Sequence, residues 1–186
     1  MSTQAKLLTA EDLLLISEPG KRFELVNGEL VEMAAGGLEH GLVEAEILGL
    51  IRDHVRRHRL GVVVGAETGF VLSRNPDTVR APDVAFIAKG RLPGQEARLK
   101  FGELAPDLVV EVVSPGDTAQ EVDAKAREWL RAGVKAVWAV YSRTRSAVVY
   151  GDGDEVRQLS EHETINGGQV LPGFSCQVSD FFDVEP

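Results

Sequence analysis

Leu108-Val-Val-Glu-Val-Val113 is an almost wholly apolar run interrupted by one acid, Glu111. Continuous β-branched sequence is what a strand carries when both faces of its sheet are covered, so the run predicts a sheet with helices packed on it. Glu111 is the anomaly in that strand. A buried ionised carboxylate is costly unless a cation or strong donors compensate, and a glutamate here therefore demands a partner. With side chains alternating, Asp107 shares a face with Glu111 but lies roughly 13 Å away at ~3.3 Å per residue. That is too far to share one ion, and Asp107, just after Pro106, reads as a strand-edge or turn residue.

On the N-terminal side, Arg80-Ala-Pro-Asp-Val-Ala-Phe86 sets Asp83 at the opening of another strand, because the proline closes a loop. If the two strands are neighbours, Asp83 and Glu111 form an oxygen-rich pair suited to magnesium or manganese. The alternative is that Asp83 caps a turn, and local sequence leaves both open. On the C-terminal side, Thr118 and Glu121 form a capping box, predicting a helix to Ala132 stopped by Gly133. Its buried stripe is Val122, Ala126, Trp129 and Leu130. Lys125 stands three residues after Val122 and four before Trp129, so its amine leans toward the sheet. It either snorkels past the edge of the stripe or reaches the carboxylates.

The rest of the chain supplies further elements. Thr9-Ala-Glu-Asp12 caps a short helix ended by Pro19-Gly20, and Phe23–Val26 with Glu29–Met33 flanks an Asn27-Gly28 hairpin turn. From Leu38 to His58, Val43, Ile47, Leu50, Ile51 and Val55 recur at helical spacing. The end of this helix gathers Arg52, Arg56, Arg57, His58 and Arg59, either a phosphate contact or a solvated helix end. Gly61–Ala66, Phe70–Ser73, Val84–Ala88, Lys135–Tyr141, Ser146–Gly151 and Val156–Leu159 read as strands, and Lys89–Leu104 as a polar connection. The order predicts an α/β (α+β) fold with a mixed central β-sheet flanked by helices, preceded by a helix and hairpin, in one domain over residues 1–186.

Composition narrows the function. Twenty basic against 29 acidic residues leave a net charge of -9, which repels a polyanion unless basic groups gather on one face or metal ions intervene. The single cysteine, Cys176, excludes an internal disulfide and a thiolate metal cage and suits a reducing cytoplasm. No apolar stretch approaches the roughly 18 residues of a membrane span, and Met1–Lys6 lacks the apolar run of a signal peptide, so a cytoplasmic location is expected. His54 and His58 have metal-compatible spacing without a third ligand and read as surface histidines. Ser114-Pro-Gly-Asp117 reads as a loop before a capped helix rather than a nucleophile elbow.

Phe23-Glu-Leu-Val-Asn-Gly-Glu-Leu30, His40, Ala81-Pro-Asp-Val-Ala-Phe86, Pro106-Asp-Leu-Val-Val-Glu-Val-Val-Ser-Pro115 and Lys125 through Gly133-Val134 together resemble the Uma-type restriction endonucleases of the PD-(D/E)XK nuclease superfamily. The resemblance implies a restriction-endonuclease-like core in which Asp83 is the motif aspartate and Glu111 the second acid, the two binding Mg2+ or Mn2+. The lysine expected two residues after the second acid is replaced by Val113, and the resemblance implies that Lys125 takes its place. Glu24 and His40 match positions near the family's site and are assigned supporting roles; on local sequence alone they are equally a hairpin residue and a helix-start residue. The implied activity is metal-dependent hydrolysis of DNA, with a homodimer suited to cutting both strands. One rival is an inactive nuclease-fold module that binds nucleic acid or protein, favoured by Val113 and the negative charge. Another is a hydrolase of different phosphoesters.

Overall fold

Caps, one tight turn and valine-rich runs fix the elements of the computed structural model, which describes residues 7–16, 18–151 and 155–184. In chain order they are α1 (Ala10–Leu15), β1 (Arg22–Val26), β2 (Glu29–Met33), α2 (Leu38–His58), β3 (Gly61–Gly65), β4 (Phe70–Ser73), β5 (Thr78–Arg80), β6 (Val84–Ala88), β7 (Leu108–Val113), α3 (Ala119–Arg131), β8 (Ala136–Tyr141), β9 (Ser146–Tyr150), β10 (Val156–Leu159), β11 (Thr164–Asn166) and β12 (Ser175–Gln177). The helices and longer strands expected from the sequence are present, and β5, β11 and β12 are additional. Each of the three additions spans only three residues, too short to display a period of two. Residues 1–6, 17, 152–154 and 185–186 lie outside the described residues.

The fold partitions into two units. The first comprises Met1–Ala35, Glu67–Ala81 and Pro93–Ala105. Its sheet has the order β2-β1-β5-β4, with every named pairing antiparallel. Asn27 and Gly28 turn the hairpin with φ of 51° and 80°, the left-handed values that this dipeptide adopts readily. Thr9 caps α1 reciprocally with Asp12, and Ala10 and Leu13 bury against Leu25 and Val79. Arg74 ties this unit together through Glu11, Asp77 and Glu103.

The second unit comprises Gly36–Ala66, Pro82–Leu92 and Pro106–Pro186. Its six-stranded sheet runs β10-β9-β8-β7-β6-β3; β7 and β8 are parallel and the other pairs antiparallel. α3 connects the parallel pair, the usual use of a helix as a crossover. One face of the sheet carries Val84, Phe86, Val110, Val112, Trp138 and Val140 against Val43, Ile47, Ile51 and Val55 of α2. Burying each such aliphatic side chain contributes about 1.5–3 kcal/mol. By alternation, Val109, Glu111 and Val113 look to the opposite face, where α3 lies.

α3 buries Val122, Ala126 and Trp129 as its spacing predicts, whereas Leu130 is only partly buried. The next-door Trp129, fully buried, fills the centre of the stripe. Both Trp129 and Lys125 therefore project from the buried side of α3, and this fixes what Glu111 meets. No described helix is long and apolar enough to cross a membrane.

Candidate functional site

β6 and β7 pair with Val84 opposite Val110, and continuing that register by one residue sets Asp83 at the level of Glu111. Asp83 does not stay on one face. Its Oδ2 accepts the Val112 amide at 2.6 Å, which pins the carboxylate at the end of the sheet. Its Oδ1 is 3.3 Å from Nε2 of His40, which arrives from the first turn of α2. The hydrogen bond to Asp83 pushes the His40 imidazole above its ordinary pKa, with burial acting the other way.

Glu44 stands four residues after His40 on α2 and so on the same helix face. Ligand atoms of His40, Glu44 and Asp83 all lie within 4.8 Å of one another. The sequence reading missed Glu44. The signal that would have found it is the His40-x-x-x-Glu44 spacing; it was hidden because Glu39, Glu44 and Glu46 together look like the solvated acids of an amphipathic helix. His40 is held closely from behind: a Cβ on Gly36 would come within 2.9 Å of its Cδ2. The glycine is therefore what lets the imidazole sit where it does.

Glu111 is built into a different set of contacts. Its Oε2 accepts Lys125 Nζ at 2.8 Å and its Oε1 accepts Trp129 Nε1 at 2.8 Å. The Glu111 and Lys125 side chains are 13% and 26% exposed, so the pair is shielded but not sealed. Burial pushes the Glu111 carboxyl above its ordinary value, Lys125 pulls it down, and the neighbouring charge of Asp83 pushes it up again. Of the two readings the sequence left open for Lys125, it takes the one that reaches a carboxylate, that of Glu111, while the ligand atoms of Asp83 group with those of His40 and Glu44.

The residues fit a divalent cation in donor type. Two carboxylates and one imidazole suit Mn2+, and the oxygens alone suit Mg2+. His40 Nδ1 is buried with no hydrogen-bond partner among the described residues, an unmet capacity that a ligand set can use. Asp83, Glu44 and His40 would hold the ion, with Glu111 next to them.

Other candidates are placed elsewhere. Glu24 belongs to the first unit, where it is buried and accepts Arg80 at 2.7 Å and the Ala81 amide at 2.9 Å. Asp107 is 1% exposed and accepts Lys135 at 2.7 Å, Arg91 at 2.6 Å and the Ala88 amide at 2.8 Å, an anchor at the start of β7. His54 Nε2 donates to the Pro172 carbonyl at 3.0 Å and His58 Nδ1 donates to the His54 carbonyl at 2.9 Å, so neither joins the cluster. The arginines at the end of α2 lie roughly 18–28 Å along the helix from His40 at 1.5 Å per residue. They belong to a helix terminus, not to this site.

Comparison with known proteins agrees with this architecture. A family model described as "Putative restriction endonuclease", Uma2, matches residues 10–179. A crystal structure of "a putative nuclease belonging to DUF820" from Anabaena variabilis superposes with a TM-score of 0.81 at 18% identity, covering 95% of this chain and 98% of that one. At that identity the likeness is one of fold. Comparison with curated proteins gives no match. With the family model spanning nearly the whole chain, the protein belongs to the Uma2 restriction-endonuclease family.

Proposed function

We propose that the protein is a divalent-metal-dependent endonuclease that hydrolyses phosphodiester bonds in DNA, using Asp83, Glu111 and Lys125 as its catalytic residues. The observation that carries this reading is the meeting of Asp83, His40 and Glu44 within 4.8 Å beside the Glu111–Lys125 pair. A bound Mg2+ or Mn2+ supplies Lewis acidity toward a phosphate oxygen and lowers the pKa of water. The chain's own residues do the rest. Asp83, Glu44 and His40 present the ligand atoms, and the Val112 amide keeps the Asp83 carboxylate from swinging away.

Lys125 supplies the positive charge that the superfamily pattern places two residues after Glu111, where this chain has Val113. Its ammonium can stabilise charge developing on the phosphate while Trp129 holds the other oxygen of Glu111 in place. Glu24 is a supporting residue that acts on the chain, through Arg80 and the Ala81 amide. A two-fold homodimer would present two such sites to the two strands of a duplex.

Incubating the protein with supercoiled plasmid and Mn2+ or Mg2+ tests the reading. Wild type should nick and linearise the plasmid, and Asp83→Asn or Lys125→Met should slow cleavage by about 100-fold or more. No cleavage by wild type, or cleavage indifferent to both substitutions, refutes it. The replacement of the motif lysine by Val113 favours a second reading, a non-catalytic module of the same fold that binds nucleic acid or protein. Under that reading calorimetry finds no Mn2+ binding that Glu111→Ala or Asp83→Asn removes.

A further inference from the structure

Beyond Val112, whose amide anchors Asp83, β7 ends and the loop Ser114–Asp117 leads into α3. Beside it β8 ends at Tyr141 and turns through Ser142–Thr144. Between these two loops lies a crevice of about 280 Å³, lined by residues that include Val113, Pro115, Asp117, Tyr141, Ser142 and Arg143. It occupies the carboxyl ends of two parallel strands, the place where open α/β sheets take ligands. Val113 is also two residues from Glu111, roughly 7 Å along the strand, with its side chain on the same face.

The lining is chemically divided. Arg143 is exposed and makes no ion pair with any described residue, so its guanidinium is available to an anion. Ser142 Oγ is buried and has no hydrogen-bond partner among the described residues. A buried hydroxyl without a partner costs free energy, and one that lines a crevice can recover it from a ligand. Val113, Pro115 and the Tyr141 ring give the crevice an apolar side on which a sugar or base can lie. The Asp117 carboxylate is turned into its own loop, where its Oδ2 accepts the Ser114 amide at 2.8 Å. A volume just under that of drug-sized ligand sites suits one nucleotide rather than a longer segment.

We infer that this crevice is a subsite for the nucleotide adjoining the scissile bond, with Arg143 and Ser142 binding its phosphate and the Tyr141 side receiving its sugar or base. The inference rests on the nuclease reading for the word scissile, but the crevice can be tested without cleavage. Backbone amide resonances of the full chain are followed while thymidine 5′-monophosphate is added, for wild type, Arg143→Gln and Ser142→Ala. The expected result is perturbation of residues 113–117 and 141–144, with affinity falling about tenfold or more in Arg143→Gln. The same variants are assayed on plasmid DNA with Mn2+, where KM should rise and kcat stay within about twofold, since a group bound equally in ground and transition states moves KM alone. Absence of binding at millimolar nucleotide, perturbations confined to other residues, or variants that bind as wild type does overturn the subsite. Nucleotide uptake in the crevice without DNA cleavage retains the subsite and sinks the nuclease reading. Cleavage with nucleotide binding and KM untouched by both variants does the reverse.

Discussion

At the residue scale the decisive feature is that Glu111 has both oxygens engaged, one by an ammonium and one by an indole N–H. Lys125→Met leaves a shielded carboxylate without its cation and should destabilise the fold by about 3 kcal/mol, measured by urea denaturation. Gly36→Ala tests the seat of His40 more gently. Its new methyl collides with the imidazole at 2.9 Å, so Mn2+ affinity should fall about tenfold, as when outer-shell partners are altered, while overall stability changes little. Unchanged calorimetric affinity would show that the histidine needs no such clearance.

Asp107 offers a pH test. Burial works against its charged form, but Lys135, the Ala88 amide and Arg91 outweigh it and hold the carboxyl below its ordinary value of 3.8. A depressed folded-state pKa contributes stability that is full above 3.8 and lost as pH falls through the lower folded value. Asp107→Asn should cost about 2–3 kcal/mol at neutral pH. Its deficit against wild type should shrink in denaturation series taken below pH 3.8. A deficit independent of pH would mean that geometry rather than charge carries the effect.

At the scale of elements, α3 is the part that delivers Lys125 and Trp129 together, and its register is set at Thr118. The Thr118 side chain accepts the Glu121 amide while Glu121 caps the Thr118 amide at 2.9 Å. Thr118→Ala should lower stability by about 1 kcal/mol in chemical denaturation. Both ends of this helix were readable, because capping is local chemistry. So was the inward lean of Lys125, since three- and four-residue spacing fixes a face. α2 shows the limit of the same logic. Its apolar positions declared the face toward the sheet, yet His40 and Glu44 lie at its edge, where periodicity does not distinguish a solvated acid from one turned toward another strand.

For the whole molecule the charge of -9 makes a distinct demand on any DNA-binding role. Without divalent ions, fluorescence anisotropy should find weak binding to a labelled duplex. Added Ca2+ should raise affinity by about tenfold or more in wild type but not in Asp83→Asn, because cations must offset the repulsion between the site and phosphates. Equal binding with and without the ion would place the DNA contacts elsewhere. The sequence determined the order of the helices and longer strands, the sandwiching of a mixed sheet by helices, the caps, and the oddity of an acid in an apolar strand, all consequences of local geometry and burial pattern. Only the tertiary structure decided that Glu44 joins Asp83 and His40, that Glu111 spends its oxygens on Lys125 and Trp129, and that Asp107 is an ionic anchor. Those contacts join residues far apart in the chain, and their distances depend on strand order and register, which no local pattern encodes.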